Sequence, residues 1–180
     1  EIASLGIKNI ELNFSLTKTM VEEIFRFTQQ NQIRITSLHN YCPIPQGLTR
    51  EVALPDCFSL SSLNEAERKK AVDYTKLTIS TAKRLSAQAV ILHSGRVEIE
   101  DQTRRLIELY NTGQAAGKDY QEIFEAFVKE RRAKSPDYLA QILKSLKDLC
   151  EFAEKYDIVL GIENRFYYRE IPSFEEFEII

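Results

Sequence analysis

The strongest constraint in this sequence is an alternation. Four short apolar runs, at residues 7–12, 33–38, 89–92 and 158–162, are separated by segments whose apolar residues recur at helical spacing. Thr19 and Glu22 make a capping pair ahead of Val21, Ile24 and Phe25, and predict a helix running to about Gln30. Asn64 and Glu67 open a second helix, with Val72, Ile79, Ala82 and Leu85 near one face. Ser135-Pro136 reads as an N-cap followed by a proline at the first helical position. It leads into the stripe Leu139, Ile142, Leu143, Leu146, Leu149 and Ala153. The apolar strand cores are short and nearly continuous rather than alternating, which is the pattern of parallel strands covered by helices.

Two features interrupt the alternation. A long loop after the second run contains Pro43, Pro45, Gly47 and Pro55. A helical insertion precedes the fourth run. Its first segment spans about 103–110, a break falls at Gly113 and Gly117, and a further helix is opened by Asp119 and Glu122. At the ends, Ile2 to Leu5 closed by Gly6 reads as the last turn of a helix, and Ser173 with Glu176 reads as the opening of another.

Composition narrows the class. The chain has 180 residues, 43% of them hydrophobic, with 24 Lys+Arg against 27 Asp+Glu for a net charge of −3. That describes one globular domain, and the interleaved charges give no broad footprint for a nucleic-acid backbone or an anionic membrane. The three cysteines, Cys42, Cys57 and Cys150, form no CxxC pair, so neither a disulfide framework nor a sulfur-rich zinc site is expected and a reducing cytoplasm fits. The aliphatic stretch 89–92 is far short of the roughly 20 residues that span a bilayer. No signal peptide is read at the start.

The chemistry is suggested by position. Each apolar run ends at or near an ionisable residue: Glu11, His39, His93 and Glu163. In a parallel barrel or open α/β sheet these ends converge on the face where ligands bind. A single histidine in such a place is more often a hydrogen-bonded loop residue. Here both histidines of the chain occupy equivalent ends beside Glu163, which points to a shared metal site, since imidazole and carboxylate suit zinc, manganese or iron. Glu163 continues an apolar strand and needs a partner for its charge. Glu11 stays open between hydrogen-bond acceptor and substrate contact. Arg165 is a candidate to grip a phosphate or carboxylate, whereas Arg96 and Arg169 are expected in ion pairs with glutamates. Tyr167 and Tyr168 either line a sugar cleft or pack over the rim, and Cys42 is expected as a free thiol. No GxGxxG, GxxxxGK[ST] or GxSxG motif occurs, which removes the usual warrant for dinucleotide, nucleoside triphosphate or α/β-hydrolase chemistry.

In order, Gly6-Ile7-Lys8-Asn9-Ile10-Glu11-Leu12, Ser37-Leu38-His39, Val90-Ile91-Leu92-His93-Ser94-Gly95 and Gly161-Ile162-Glu163-Asn164-Arg165 resemble strands two to five of xylose isomerase-like TIM barrels. This superfamily holds sugar phosphate isomerases and epimerases, inosose dehydratases and endonuclease IV-type enzymes. The resemblance implies an α/β fold: a partial (β/α)8 TIM barrel of about four parallel strands, with covering helices and a helical insertion. It covers residues 1–180 as a single incomplete domain, expected to be a fragment of a longer chain, because barrels of this kind take about 250 residues.

The resemblance further implies that Glu163 binds a divalent metal ion (manganese, zinc or magnesium) and moves a substrate proton, with His39 and His93 as metal or substrate contacts. Arg165 and Glu11 are the further substrate-binding candidates. The function expected is a metal-dependent sugar or sugar-phosphate isomerase/epimerase working through an enediolate. The alternatives are an endonuclease IV-like zinc phosphodiesterase on abasic DNA and a noncatalytic barrel binding carbohydrate or protein. The expected partner is a small sugar or sugar phosphate rather than nucleic acid or membrane, and a homo-oligomer is compatible with it. Family ligands from strands six to eight lie outside the four runs.

Overall fold

The computed structural model describes residues 3–30 and 33–180. Four strands, β1 (Asn9–Leu12), β2 (Arg34–His39), β3 (Ala89–Leu92) and β4 (Val159–Ile162), pair in parallel as one sheet in chain order. Parallel neighbours need crossovers, and helices provide them. α1 (Lys18–Gln30) joins β1 to β2 and α2 (Glu65–Arg84) joins β2 to β3. α3 (Thr103–Asn111) and α4 (Lys118–Glu154) join β3 to β4. A doubly wound sheet reverses its strand order at a switch point; an unbroken 1-2-3-4 order is that of a (β/α)8 barrel. The fold is therefore a partial TIM barrel.

One sheet face is the core. Leu38, Val90 and Leu92 are fully buried in a cluster with Ile79 and Ala82 of α2 and Ile142 and Leu149 of α4. β2 and β3 have neighbours on both sides. Among the described residues β1 and β4 have one each, in keeping with the exposure of Val159, where the apolar pattern predicts burial. No helix among the described residues is long and apolar enough to cross a membrane.

Local signals were mostly legible, with instructive exceptions. Asn64 caps α2 through Oδ1, which accepts from the Ala66 and Glu67 N–H groups at 3.0 and 3.2 Å. Glu67 does not close the box. Its carboxylate takes the Ser59 N–H (3.1 Å) and the Ser62 hydroxyl (2.8 Å), tying the β2–α2 loop back onto the helix. At α1 the cap is Thr17, whose Oγ1 accepts from Met20 N at 3.3 Å, rather than Thr19. Gly6 has φ +76° after a 3-10 turn at Ala3–Leu5, as a closing glycine should, although Ile2 lies outside the described residues.

Two expected helices are one. α4 runs unbroken through Pro136 for 37 residues. An interior proline loses a hydrogen bond and costs about 3 kcal/mol. Here the flanking turns are held by tertiary contacts. Arg131, Ser135 and Tyr138 are all buried, and Arg131 donates to the Tyr168 and Glu170 carbonyls and to both carboxylate oxygens of Glu176. The segment opened by Ser173 is a 3-10 turn, Glu175–Glu178. Glu176 accepts the Ser173 N–H at 2.7 Å but spends its charge on Arg131.

Candidate metal and substrate site

Register decides what meets at the mouth of the sheet. His39 pairs with Ile91, and Ile91 with Gly161; Leu92 pairs with Ile162. With side chains alternating along each strand, Ser37 and His39 of β2, Ala89, Ile91 and His93 on β3, and Gly161 and Glu163 on β4 share the face opposite the helices. Backbone bonds carry the register past the strand ends: Asn40 N–H donates to the Ile91 carbonyl and Glu163 N–H to the Leu92 carbonyl, both at 2.9 Å. Ile91 Cδ1 would lie 3.0 Å from a Cβ at Gly161, so a larger residue there would crowd the floor of the site.

The three expected ligands converge. One donor atom from each of His39, His93 and Glu163 lies within 4.8 Å of the other two. His39 Nε2 is 3.6 Å from Glu163 Oε2, too long for a strong direct bond and suited to two groups facing a common ligand. His39 Nδ1 stands 3.1 Å from the Asn40 carbonyl. In the tautomer that donates there, Nε2 keeps its lone pair for the site, the usual arrangement for a ligating histidine. Phe14 packs edge-on against the His39 ring at 5.5 Å and helps set its plane.

His93 is the most informative member. Its side chain is buried, yet neither Nδ1 nor Nε2 has a hydrogen-bond partner among the described residues. Buried imidazoles are normally satisfied, so two orphaned nitrogens mark a place built for something else. Burial first, then the positive Arg165 guanidinium and His39, depress its pKa from 6.5 to about 4. The ring is neutral at physiological pH, the form that binds metal. Glu163 is the accessible partner, with about half its side chain exposed. A borderline divalent cation fits this donor set and these unpaired nitrogens.

The remaining candidates are placed differently. Glu11 pairs in register with Ser37 and accepts its hydroxyl at 2.6 Å, two residues before His39, so it lies one side-chain layer below the cluster and apart from it. Arg165 does not stand free. Its Nη2 donates to Asp56 Oδ2 at 2.9 Å and to Glu170 Oε1, while its backbone N–H meets Glu170 Oε2 at 3.1 Å. Arg96 is ion-paired as expected, with Asp56 (3.0 Å) and Glu98 (3.0 Å), and Arg169 faces Asp101 at 3.5 Å. Tyr168 packs on Phe124 and Phe127 of α4, and Tyr167 stacks on Phe166 beneath the Arg165 guanidinium. Cys42 is a buried free thiol whose pKa burial pushes up to about 12; its N–H donates to Thr78.

Sequence reasoning missed Asp56 and Glu170. Each is buried; Asp56 pairs with Arg96 and Arg165 from two other loops, and Glu170 with Arg165 of its own loop. The only signal was indirect: several arginines beyond the strand ends must find acids somewhere.

Against this geometry, residues 1–178 match the family model described as xylose isomerase-like TIM barrel. The chain belongs to that family. Among solved structures, this xylose isomerase-like barrel is similar to a D-tagatose 3-epimerase-like protein (18% identity, TM-score 0.57), covering 91% of this chain and 46% of that one. It is also similar to a D-psicose 3-epimerase solved with D-fructose (18%, 0.54, 93% and 46%) and to an L-ribulose 3-epimerase (16%, 0.55, 93% and 43%). At such identities the likeness is one of fold, and the chain spans a little under half the length of these proteins. No curated protein matches it.

Proposed function

We propose that this chain forms the β2–β4 side of the active-site face of a sugar isomerase or epimerase that moves a proton next to a carbonyl through an enediolate. The carrying observation is the meeting of His39, His93 and Glu163 within 4.8 Å at the ends of three adjacent parallel strands, with His93 buried, neutral and unpartnered. His39 Nε2, one nitrogen of His93 and a Glu163 oxygen would hold a divalent ion, which when bound would polarise the substrate carbonyl and acidify the neighbouring C–H.

The chain's own groups then divide the work. Glu163 has two oxygens and an exposed side chain, so it serves both as ligand and as the base that takes the proton. His39, oriented by the Asn40 carbonyl, keeps Nε2 toward that carboxylate. His93 presents an uncharged ring and adds no positive charge to compete with a cation. Arg165, anchored through Nη2, offers the rest of its guanidinium to sugar hydroxyls, and Glu11 lines the layer beneath.

The electrostatics support an unphosphorylated sugar over a sugar phosphate or a DNA backbone. Arg96, Arg165 and Arg169 at this mouth are each engaged by carboxylates, and the neutral His93 ring adds no charge to attract a phosphate. The similar structures named above are two sugar 3-epimerases and a D-tagatose 3-epimerase-like protein, in keeping with this reading. The test is solvent deuterium incorporation into unphosphorylated ketoses by the full-length protein, alongside its manganese and zinc content. Exchange that requires metal and disappears in Glu163→Gln is expected. Metal-free protein, or exchange untouched by the substitution, would overturn the proposal.

A further inference from the structure

Three loops are knotted together beside the site by a single buried carboxylate. Asp56 lies in the β2–α2 loop, and its Oδ2 receives both Arg165 Nη2 from the loop after β4 (2.9 Å) and Arg96 Nη1 from the loop after β3 (3.0 Å). The two arginine loops are themselves sewn together. Val97 N–H donates to the Arg169 carbonyl (2.8 Å), Ile171 N–H to the Gly95 carbonyl (3.0 Å), and Arg96 bridges Glu170 in an antiparallel pair. The β3 loop is also wedged onto the Asp56 loop. Gly95, at φ +113°, sits where a Cβ would fall 2.3 and 2.4 Å from the Ser61 and Ser59 hydroxyls, and Ser61 donates to the Arg96 carbonyl at 3.3 Å.

We propose that Asp56 is a positioning residue: it holds Arg165 in the one orientation that serves the substrate and keeps the charge beside His93 balanced. The inference rests on the proposed sugar chemistry for the meaning of Arg165, and adds to it a residue that touches neither metal nor sugar.

The physical argument has two parts. Geometrically, an arginine has many rotamers, and an anchor at Nη2 removes most of them while leaving the side chain 29% exposed toward ligands. Its Nε is buried and has no hydrogen-bond partner among the described residues, so the anchor at Nη2 is what sets the guanidinium plane. Electrostatically, two guanidiniums converge on one oxygen about 3 Å from each. Remove the negative charge and they repel across a neutral group. The excess positive charge then lies in the shell around His93, where a cation is to bind. Glu170 alone does not restore the balance, because Arg96 would be left with only Glu98, whose side chain is more than half exposed.

The test uses the full-length protein and a double-mutant cycle. Asp56→Asn is expected to raise KM for the exchanged ketose about tenfold or more with a smaller change in kcat, as loss of a charged hydrogen bond that orients a binding group would. In an Arg165→Ala background the same substitution is expected to change KM little, since its effect runs through Arg165. An equal KM increase in both backgrounds would overturn the proposal. Asp56→Glu, which keeps the charge and displaces the oxygen, gives a second folded variant expected to move KM in the same direction.

A readout independent of turnover is the Arg165 Nε–H resonance in a nitrogen–proton correlation spectrum. It is expected to shift in Asp56→Asn while resonances of α1 do not, and an unmoved Arg165 signal would likewise overturn the proposal. If no sugar is exchanged but the resonance moves, the assignment of Asp56 as anchor of Arg165 stands and the sugar chemistry is what has failed.

Discussion

The His93 ring stands edge-on to the His39 ring, with centroids 4.9 Å apart and planes at 80°, and neither nitrogen of His93 has a hydrogen-bond partner among the described residues. Two imidazoles so arranged cannot hydrogen-bond each other well, but they can address a third body between them and Glu163. The relationship follows from register: His39 lies beside Ile91, and His93 is two residues further along the same face.

Replacing Glu163 with Gln keeps the shape but removes the proposed base and the anionic member of the proposed ligand set. Proton exchange on a ketose is expected to fall by about 10²- to 10⁴-fold, the usual weight of a general base. Metal affinity measured by calorimetry should weaken as well. Full retention of both would remove Glu163 from the site.

The buried His93 should make stability of the metal-free protein depend on pH. Its folded pKa, about 4, lies below the ordinary 6.5, so between these values the unfolded chain binds a proton that the folded chain refuses. Its contribution is therefore full above about pH 6.5, declines as pH falls toward 4, and loses no more below that. Urea midpoints at pH 7, 5.5 and 4 should show this decline, and His93→Gln should flatten it.

Arg131→Met should be among the most damaging changes distant from the site. It leaves Glu176 buried without its bidentate partner at 2.7 Å, and breaking such a pair costs about 3–5 kcal/mol. Burial alone would raise the Glu176 pKa, but hydrogen bonds from Arg131 and the Ser173 N–H, with the charge of Arg131, outweigh it and hold the carboxyl below 4.5. The wild-type pair should thus stabilise fully above pH 4.5 and lose strength as the medium becomes more acid. Thermal melts of the single variant and of Arg131→Met with Glu176→Leu separate the terms. The double variant should recover part of the loss.

Gly95→Ala should strain the knot directly. The positive φ costs a side-chain-bearing residue about 1–3 kcal/mol, and the new methyl would press on Ser59 and Ser61. Reduced stability with weakened metal binding is expected, because Gly95 is two residues from His93. A melting temperature equal to wild type would show that the loop yields freely.

Much of this was legible because it depends on short-range periodicity. Nearly continuous apolar runs between amphipathic segments specify parallel strands under helices whatever their partners are. The polar residue at each run's end is visible for the same reason. Strand-end position correctly brought His39, His93 and Glu163 together, yet it placed Glu11 at the same level. The β1–β2 register sets that carboxylate opposite Ser37, two residues short of His39 and so one layer down, even though a bulge between Ile10 and Glu11 advances the pairing by one residue.

By itself, the sequence determined the order of strands and helices and the identity of the groups at the strand ends. Only the tertiary structure decided that Pro136 lies inside a continuous helix, since the contacts that offset its cost come from Glu176 and the carbonyls of 168 and 170, far along the chain. It also decided that Arg165 is held rather than free, because its partner Asp56 lies 109 residues away in an irregular loop. Periodicity reports which face a residue occupies. Charge pairing between loops has no period, and is settled only when packing brings the loops to one place.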